Sequence, residues 1–208
     1  QRAIGIALIV LLALSAQAQA NVSREIITAI VMLSLTRAIF RHGEGWLAGW
    51  ALTIAGALYI GGLGAYFFAL RALPNGMTWT ALALFTTWAT DTFAFAVGTA
   101  LGRHPFFPNI SPKKTWEGAI GGFVGAVLAA AGIGSAIGLE LAPSIIFGAG
   151  IALAGMIGDL AESLIKRQVG AKDSGVIVPG HGGALDRLDS LLFAFTFAFY
   201  FVTWVLKG

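Results

Sequence analysis

The chain has no cysteine in its 208 residues, which excludes disulfides, zinc–thiolate sites, iron–sulfur clusters and thiol nucleophiles. Charge is scarce too. Only 11% of residues are Asp, Glu, Lys or Arg, where an ordinary soluble domain carries about 25%. The net charge of +3 is small and scattered, so the chain lacks the basic face of a nucleic-acid binder. What is present instead is apolar surface: 57% of residues are hydrophobic and the mean hydropathy is +0.83. That excludes a disordered chain and a water-soluble globule, and it implies an all-α, polytopic membrane helix bundle.

A helix needs roughly 20 mostly apolar residues to cross the hydrocarbon core. Such segments fall at about 3–20, 25–40, 46–70, 77–101, 118–139, 144–165 and 188–206, giving about seven transmembrane helices in one integral domain over 1–208. The Ala18-Gln19-Ala20 stretch has the small-residue pattern of a signal cleavage site, but the long apolar runs after it favour a span. With Arg2 inside, alternating spans also place Arg37, Arg41, Arg103, Lys113, Lys114, Lys166, Arg167, Lys172 and Arg187 inside. Only Arg24, Arg71 and Lys207 fall outside. This asymmetry obeys the positive-inside rule and puts the loops at 102–117 and 166–187 on the cytoplasmic face. The stretches 103–117 and 159–189 hold 13 of the 23 charged residues, so chemistry is to be sought there.

Asp159 and Glu162 are three apart and share a helical face, as do Asp186 and Asp189 at the start of the last span. Four carboxylates at two helix ends suit a hard cation such as Mg²⁺, which takes one or two carboxylates plus substrate phosphates. The plainer alternative is that these acids pair with Lys166, Arg167 and Arg187. Ser111-Pro112-Lys113-Lys114-Thr115 is a compact cationic loop with Glu117 just beyond it. Lys166, Arg167, Lys172 and His181 form a second basic group, interleaved with acids in a glycine-rich loop. Acids for a metal mixed with bases for phosphate are what phosphoryl or nucleotidyl transfer requires. In Pro179-Gly180-His181-Gly182-Gly183 the glycines let backbone N–H groups approach phosphate oxygens. His181 could donate to phosphate, act as a base or bind metal.

Asp91 lies inside an apolar span, on a stripe with Thr87, Thr90, Ala94 and Gly98. An ionisable residue there faces a cavity or a partner: it either touches substrate or pairs with a base such as Arg103. Gly118, Gly121, Gly122 and Gly125 read as close helix packing. The aromatics from Phe193 to Phe201 read as a lipid-facing or packing surface.

The stretch 163–189 reads Ser-Leu-Ile-Lys-Arg, four residues, then Lys-Asp-Ser-Gly-Val-Ile-Val-Pro-Gly-His-Gly-Gly-Ala-Leu-Asp-Arg-Leu-Asp. It closely resembles the signature of the CDP-diacylglycerol synthases (phosphatidate cytidylyltransferases). The run from Asn109 to Gly118 resembles that family's second motif, and Asp91-Thr92-Phe93-Ala94-Phe95 a third, so the likeness covers about 85–195. Three positions depart from the pattern: Ala184 replaces a larger aliphatic residue, Phe95 a tyrosine, and Thr99 a basic residue. The second removes a hydroxyl contact and the third a phosphate contact. The resemblance also implies one or two earlier spans ahead of Gln1.

What the resemblance implies is transfer of CMP from CTP to phosphatidic acid, giving CDP-diacylglycerol and pyrophosphate in phospholipid synthesis. The expected cofactor is Mg²⁺, with a second cation left open. Asp159 and Asp186 would be its ligands, with Asp189 next. Ser111, Lys113 and Lys114 would hold the nucleotide or pyrophosphate. Lys166, Arg167, Lys172 and His181 would position the phosphates, and Asp91, Gly182, Gly183 and Arg187 complete the substrate-binding set. The expected partners are CTP, phosphatidic acid and the bilayer, without nucleic acid, and a homodimer is left open. The expected location is the inner (cytoplasmic) membrane, with the site on its cytoplasmic face. One rival is a CTP-dependent enzyme, cytidylyltransferase or kinase, acting on an isoprenoid or ether lipid. An ion-coupled transporter is the rival from another class, and it predicts polar groups continuing across the bilayer.

Overall fold

The structure is a computed structural model and describes residues 2–15, 21–40, 43–171, 174–175 and 183–206. Among these every named element is a helix, and the connections hold one isolated antiparallel bridge, between Pro105 and Thr115. The helices are α1 (Arg2–Ser15), α2 (Asn21–Phe40), α3 (Trp46–Ala57), α4 (Leu63–Ala72), α5 (Gly76–Leu101), α6 (Trp116–Ala136), α7 (Leu141–Gln168) and α8 (Leu185–Trp204). A π-helical turn, Leu58–Gly62, joins α3 to α4 without a break. That makes seven continuous rods, each on one of the seven expected segments.

Four rods are long and apolar enough to cross a bilayer: Trp46–Ala72, Gly76–Leu101, Trp116–Ala136 and Leu141–Gln168. The other three fall short for visible reasons. The described part of α1 has 14 residues. Helix α2 carries Arg24, Glu25 and Arg37, and α8 opens with Asp186, Arg187 and Asp189.

The chain divides into two compact units, Gln1–Pro74 and Asn75–Gly208. In the first, Leu8, Leu12 and Ala57 form a small core against Ile9, Ile26, Ile27, Ile30 and Ile54. The π turn brings Gly61 against α1, where a methyl group would lie 2.7 Å from the Ile9 Cα. The Trp50 Nε1–H donates to the Ser34 Oγ at 2.8 Å.

In the second unit α5 packs on α6, α6 on α7 and α7 on α8, and both α7 and α8 return to α5. Small residues set these separations, because lipid supplies no hydrophobic drive between helices and close backbone approach must supply packing instead. A Cβ at Gly118 would meet the Ala94 carbonyl oxygen at 2.9 Å, and one at Gly122 the Thr90 carbonyl at 2.8 Å. The glycine stripe of α6 is therefore its seam with α5. Phe195 and Phe201 are buried, and Phe201 meets Phe147 edge-on at 5.3 Å, so this part of the α8 aromatic run packs inward. Large apolar side chains such as Trp88, Ile120, Leu128, Leu153 and Ile157 remain exposed on the perimeter, as a bilayer-facing surface requires.

Chain reversals bring the functional ends together. The α6–α7 turn is closed by Gly138 at φ 79 and by the Leu139 N–H donating to the Gly134 carbonyl at 2.8 Å. The end of α5, the start of α6, the end of α7 and the start of α8 consequently share one end of this unit.

Candidate active site

The segment 102–115 folds as a tight hairpin between α5 and α6. The Phe106 N–H donates to the Lys114 carbonyl at 2.7 Å, and the Trp116 N–H to the His104 carbonyl at 2.9 Å. Thr115 caps α6, its Oγ1 accepting from the Gly118 N–H at 3.2 Å. The Glu117 carboxylate accepts from the backbone N–H groups of Arg103 (3.1 Å) and His104 (3.3 Å) and lies 2.5 Å from the His104 Nδ1. Glu117 thus fastens the outgoing strand to the returning one. At the tip, the Arg167 Nε–H donates to the Ile110 carbonyl at 3.3 Å, tying the hairpin to the end of α7.

Beneath the hairpin lies a cleft of about 500 Å³. Helix α5 lines it with Thr90, Asp91, Ala94 and Gly98, and α7 with Gly155, Met156 and Asp159. The hairpin adds Phe106, Ser111, Lys113 and Lys114. Spacings of three and four put these helical residues on single faces, so the α5 stripe does turn inward. The Lys114 ammonium is ion-paired to Asp159 across the cleft, and the Ser163 hydroxyl is 3.5 Å from the other Asp159 oxygen. Asp91 is exposed, and what it faces is this cleft. Lys114 lines the same cleft and is a base close enough to act on Asp91.

One turn further along α7 lies a second cluster. The Lys166 ammonium contacts Glu162 at 2.6 Å and Asp186 at 2.7 Å, with Glu162 fully buried. The other Asp186 oxygen accepts from the Ser174 N–H (2.9 Å), the Ser174 hydroxyl (2.8 Å) and the Gly183 N–H (2.7 Å). Asp189 sits between the clusters, buried, within electrostatic reach of Asp91, Asp159 and Glu162. It accepts from the Ser190 N–H at 2.6 Å. Acid and base thus alternate from Asp91 through Lys114 and Asp159 to Lys166 and Asp186.

Asp91, Ser111, Lys113, Lys114 and Asp159 therefore meet in one cleft, while Lys166 and Asp186 form the adjoining pair. Arg167 serves the hairpin, and Arg187 is exposed at the start of α8 outside the cleft lining. The Gly183 N–H, expected to face phosphate, is taken by Asp186. Lys172, His181 and Gly182 lie outside the described residues. Sequence reading assigned nothing to Ser174 and noted Glu117 only by position. Their partners are 12 and 13–14 residues away, and no helical or strand period marks such pairings.

Among the described residues no three acids or histidines converge as a ready-made metal cage. The donor set still fits a hard divalent cation. Asp159 and Asp186 each already hold a cationic ammonium, and Mg²⁺ commonly takes only one or two carboxylates, with phosphates and water filling the rest. Asp159 and Asp186, with Asp189 near, are the residues that could hold it.

Comparison with known proteins places the chain in a family. Residues 2–205 match the family model described as the Cytidylyltransferase family. A phosphatidate cytidylyltransferase of Bacillus subtilis is 40% identical over 152 residues, covering 72% of this chain and 56% of the relative. One from Brucella abortus is 40% identical over 166 residues, covering 78% and 58%. The chloroplastic phosphatidate cytidylyltransferase 5 of Arabidopsis thaliana is 47% identical over 116 residues, covering 55% and 29%. The chain spans about half the length, or less, of these curated relatives. With the match running from residue 2 to 205, the chain belongs to the cytidylyltransferase family.

Proposed function

We propose that this chain forms the catalytic part of a phosphatidate cytidylyltransferase, transferring CMP from CTP to phosphatidic acid. A phosphate oxygen of the lipid attacks the α-phosphorus of CTP, the bond from that phosphorus to the bridging oxygen breaks, and pyrophosphate leaves. The lipid phosphate is already ionised near neutral pH, so no general base is needed. The obstacle is repulsion between two polyanions, which positive charge must relieve.

In this reading Ser111, Lys113 and Lys114 bind the nucleotide phosphates, and Lys166 neutralises charge beside them. Arg167 acts by holding the hairpin tip. Lys172, His181 and Gly182 contact the phosphates, as does Arg187 from the first turn of α8, and Asp91 orients Lys114. Mg²⁺ held by Asp159 and Asp186, with Asp189 behind, would neutralise the phosphate oxygens and polarise the reacting phosphorus. A second cation is open to the same acids. All seven rods cross the inner membrane as one integral domain, with the cleft on the cytoplasmic side where CTP arrives. The family match over both compact units supports that reading.

The observation that carries the proposal is the Lys114–Asp159 pair, set under a Ser-Pro-Lys-Lys hairpin in a cleft at one end of the second unit. A transporter would carry its polar groups across the bilayer, whereas these gather at one end of the second unit. The test is pyrophosphate release by purified protein in detergent, with and without phosphatidic acid and Mg²⁺. Release that needs both, and is lost in Asp186→Asn, is the expected result. Release of CDP would indicate a lipid kinase, and no CTP turnover with any lipid would reject the enzyme reading.

A further inference from the structure

We propose that the 102–115 hairpin is an interfacial anchor: Phe107 and Trp116 insert into the headgroup region of the bilayer that holds α5 and α6. This goes beyond the catalytic reading and does not depend on it.

Phe107 is 49% exposed and Trp116 53% exposed, at the end of the unit where the charge gathers. The two rings are not scattered. Both meet Phe106 edge-on, at centroid distances of 4.7 and 4.5 Å, and Phe106 in turn lines the cleft. Phe107 holds a left-handed backbone at φ 57, which is disfavoured for a bulky residue. Its carbonyl accepts from the N–H groups of Ile110 (3.0 Å) and Ser111 (2.9 Å), so the turn that presents Ser111 is built on this strained residue. Strain of this kind persists where the surroundings over-determine it, often at ligand clamps.

The occupant follows from what flanks the hairpin. Both neighbouring helices are long and apolar enough to cross a bilayer, so a short, tightly paired loop between them stays near the membrane boundary. Aromatic rings are enriched at that depth. The segment 102–115 also contains Arg103, Lys113 and Lys114 and no acid. With Lys114 committed to Asp159 and Lys113 lining the cleft, Arg103 is the charge placed for anionic headgroups. Anchoring the hairpin would fix the cleft mouth at the depth of lipid phosphates.

The cysteine-free chain makes the test direct. Single-cysteine variants Phe107→Cys and Asn109→Cys are labelled with an environment-sensitive fluorophore and reconstituted in phosphatidylcholine–phosphatidylglycerol vesicles. The expected result is a blue-shifted emission at position 107, quenched by nitroxide lipids and protected from iodide, beside a water-like, iodide-quenched signal at 109. Iodide quenching at 107 equal to that at 109 would overturn the proposal, as would protection from both quenchers. If Phe107→Cys fails to fold, Trp116→Cys carries the same readout. None of these signals requires turnover, so failure here is distinct from failure of the enzyme reading.

Discussion

Lys114 and Asp159 are the pair on which the proposed chemistry turns, and each constrains the other. The ammonium spans from hairpin to helix and neutralises a carboxylate in a half-enclosed cleft. Removing it takes one positive charge from the phosphate site and leaves Asp159 facing the cleft uncompensated. Lys114→Ala is therefore expected to lower kcat by about 10²–10³-fold, the scale of losing one preorganised electrostatic contact. A steady-state assay with saturating CTP reads this, and an unchanged kcat would remove Lys114 from the mechanism. Packing gives a second residue-scale prediction. Gly122 faces the Thr90 carbonyl at 2.8 Å from a notional Cβ, whereas nothing lies within 4 Å of one at Gly132. Gly122→Val should destabilise the bundle by about 1–3 kcal/mol through overpacking, while Gly132→Ala should be neutral or stabilising. Thermal unfolding in detergent distinguishes the two. Residue types and spacings made Asp159, Asp186, Lys113 and Lys114 legible in the sequence. Lys166 as a partner of these acids was legible too, and it does hold Glu162 and Asp186; the Lys114–Asp159 pairing was not, because it depends on where the hairpin meets the end of α7.

The hairpin shows what an element adds to its residues. Its Ser-Pro-Lys-Lys run was readable as a cationic loop, but its rigidity comes from Glu117, whose acceptor oxygens gather two amides and the His104 ring from the opposite strand. Cutting that tie should let Ser111 and Lys113 wander while leaving the α7 and α8 acids in place. Glu117→Ala is expected to raise KM for CTP on the order of tenfold, about the worth of one charge-assisted hydrogen bond, with a smaller change in kcat. A kcat loss with KM unchanged would assign Glu117 a different role. The helices themselves were legible to within a few residues at their described ends, since apolar runs bounded by Gly, Pro and charge mark roughly where a rod starts and stops. Crossing the membrane is a stricter property than being a helix. Among the described residues four rods are long and apolar enough for it, and the charges in the first turn of α8 and near both ends of α2 lower the apolar character of those two.

At the scale of the whole molecule, the proposed chemistry draws on acids and bases gathered at one end of the second unit, and both signs of charge are needed there. Acids that hold lysines in the free protein are expected to exchange them for a cation and for substrate phosphates on binding. Chelation of Mg²⁺ should abolish turnover and re-addition should restore it, with little change in thermal stability, because Lys114 and Lys166 already neutralise Asp159 and Asp186. A large stability loss on chelation would point to a structural metal instead. The central claim, that a lipid phosphate attacks the α-phosphorus of CTP, is tested most directly by label transfer. Purified protein is given phosphatidic acid, Mg²⁺ and CTP labelled at either the α- or the γ-phosphate, and the lipid fraction is counted. The account predicts α-label in the lipid and γ-label in free pyrophosphate; γ-label in the lipid, or none from either, would contradict it.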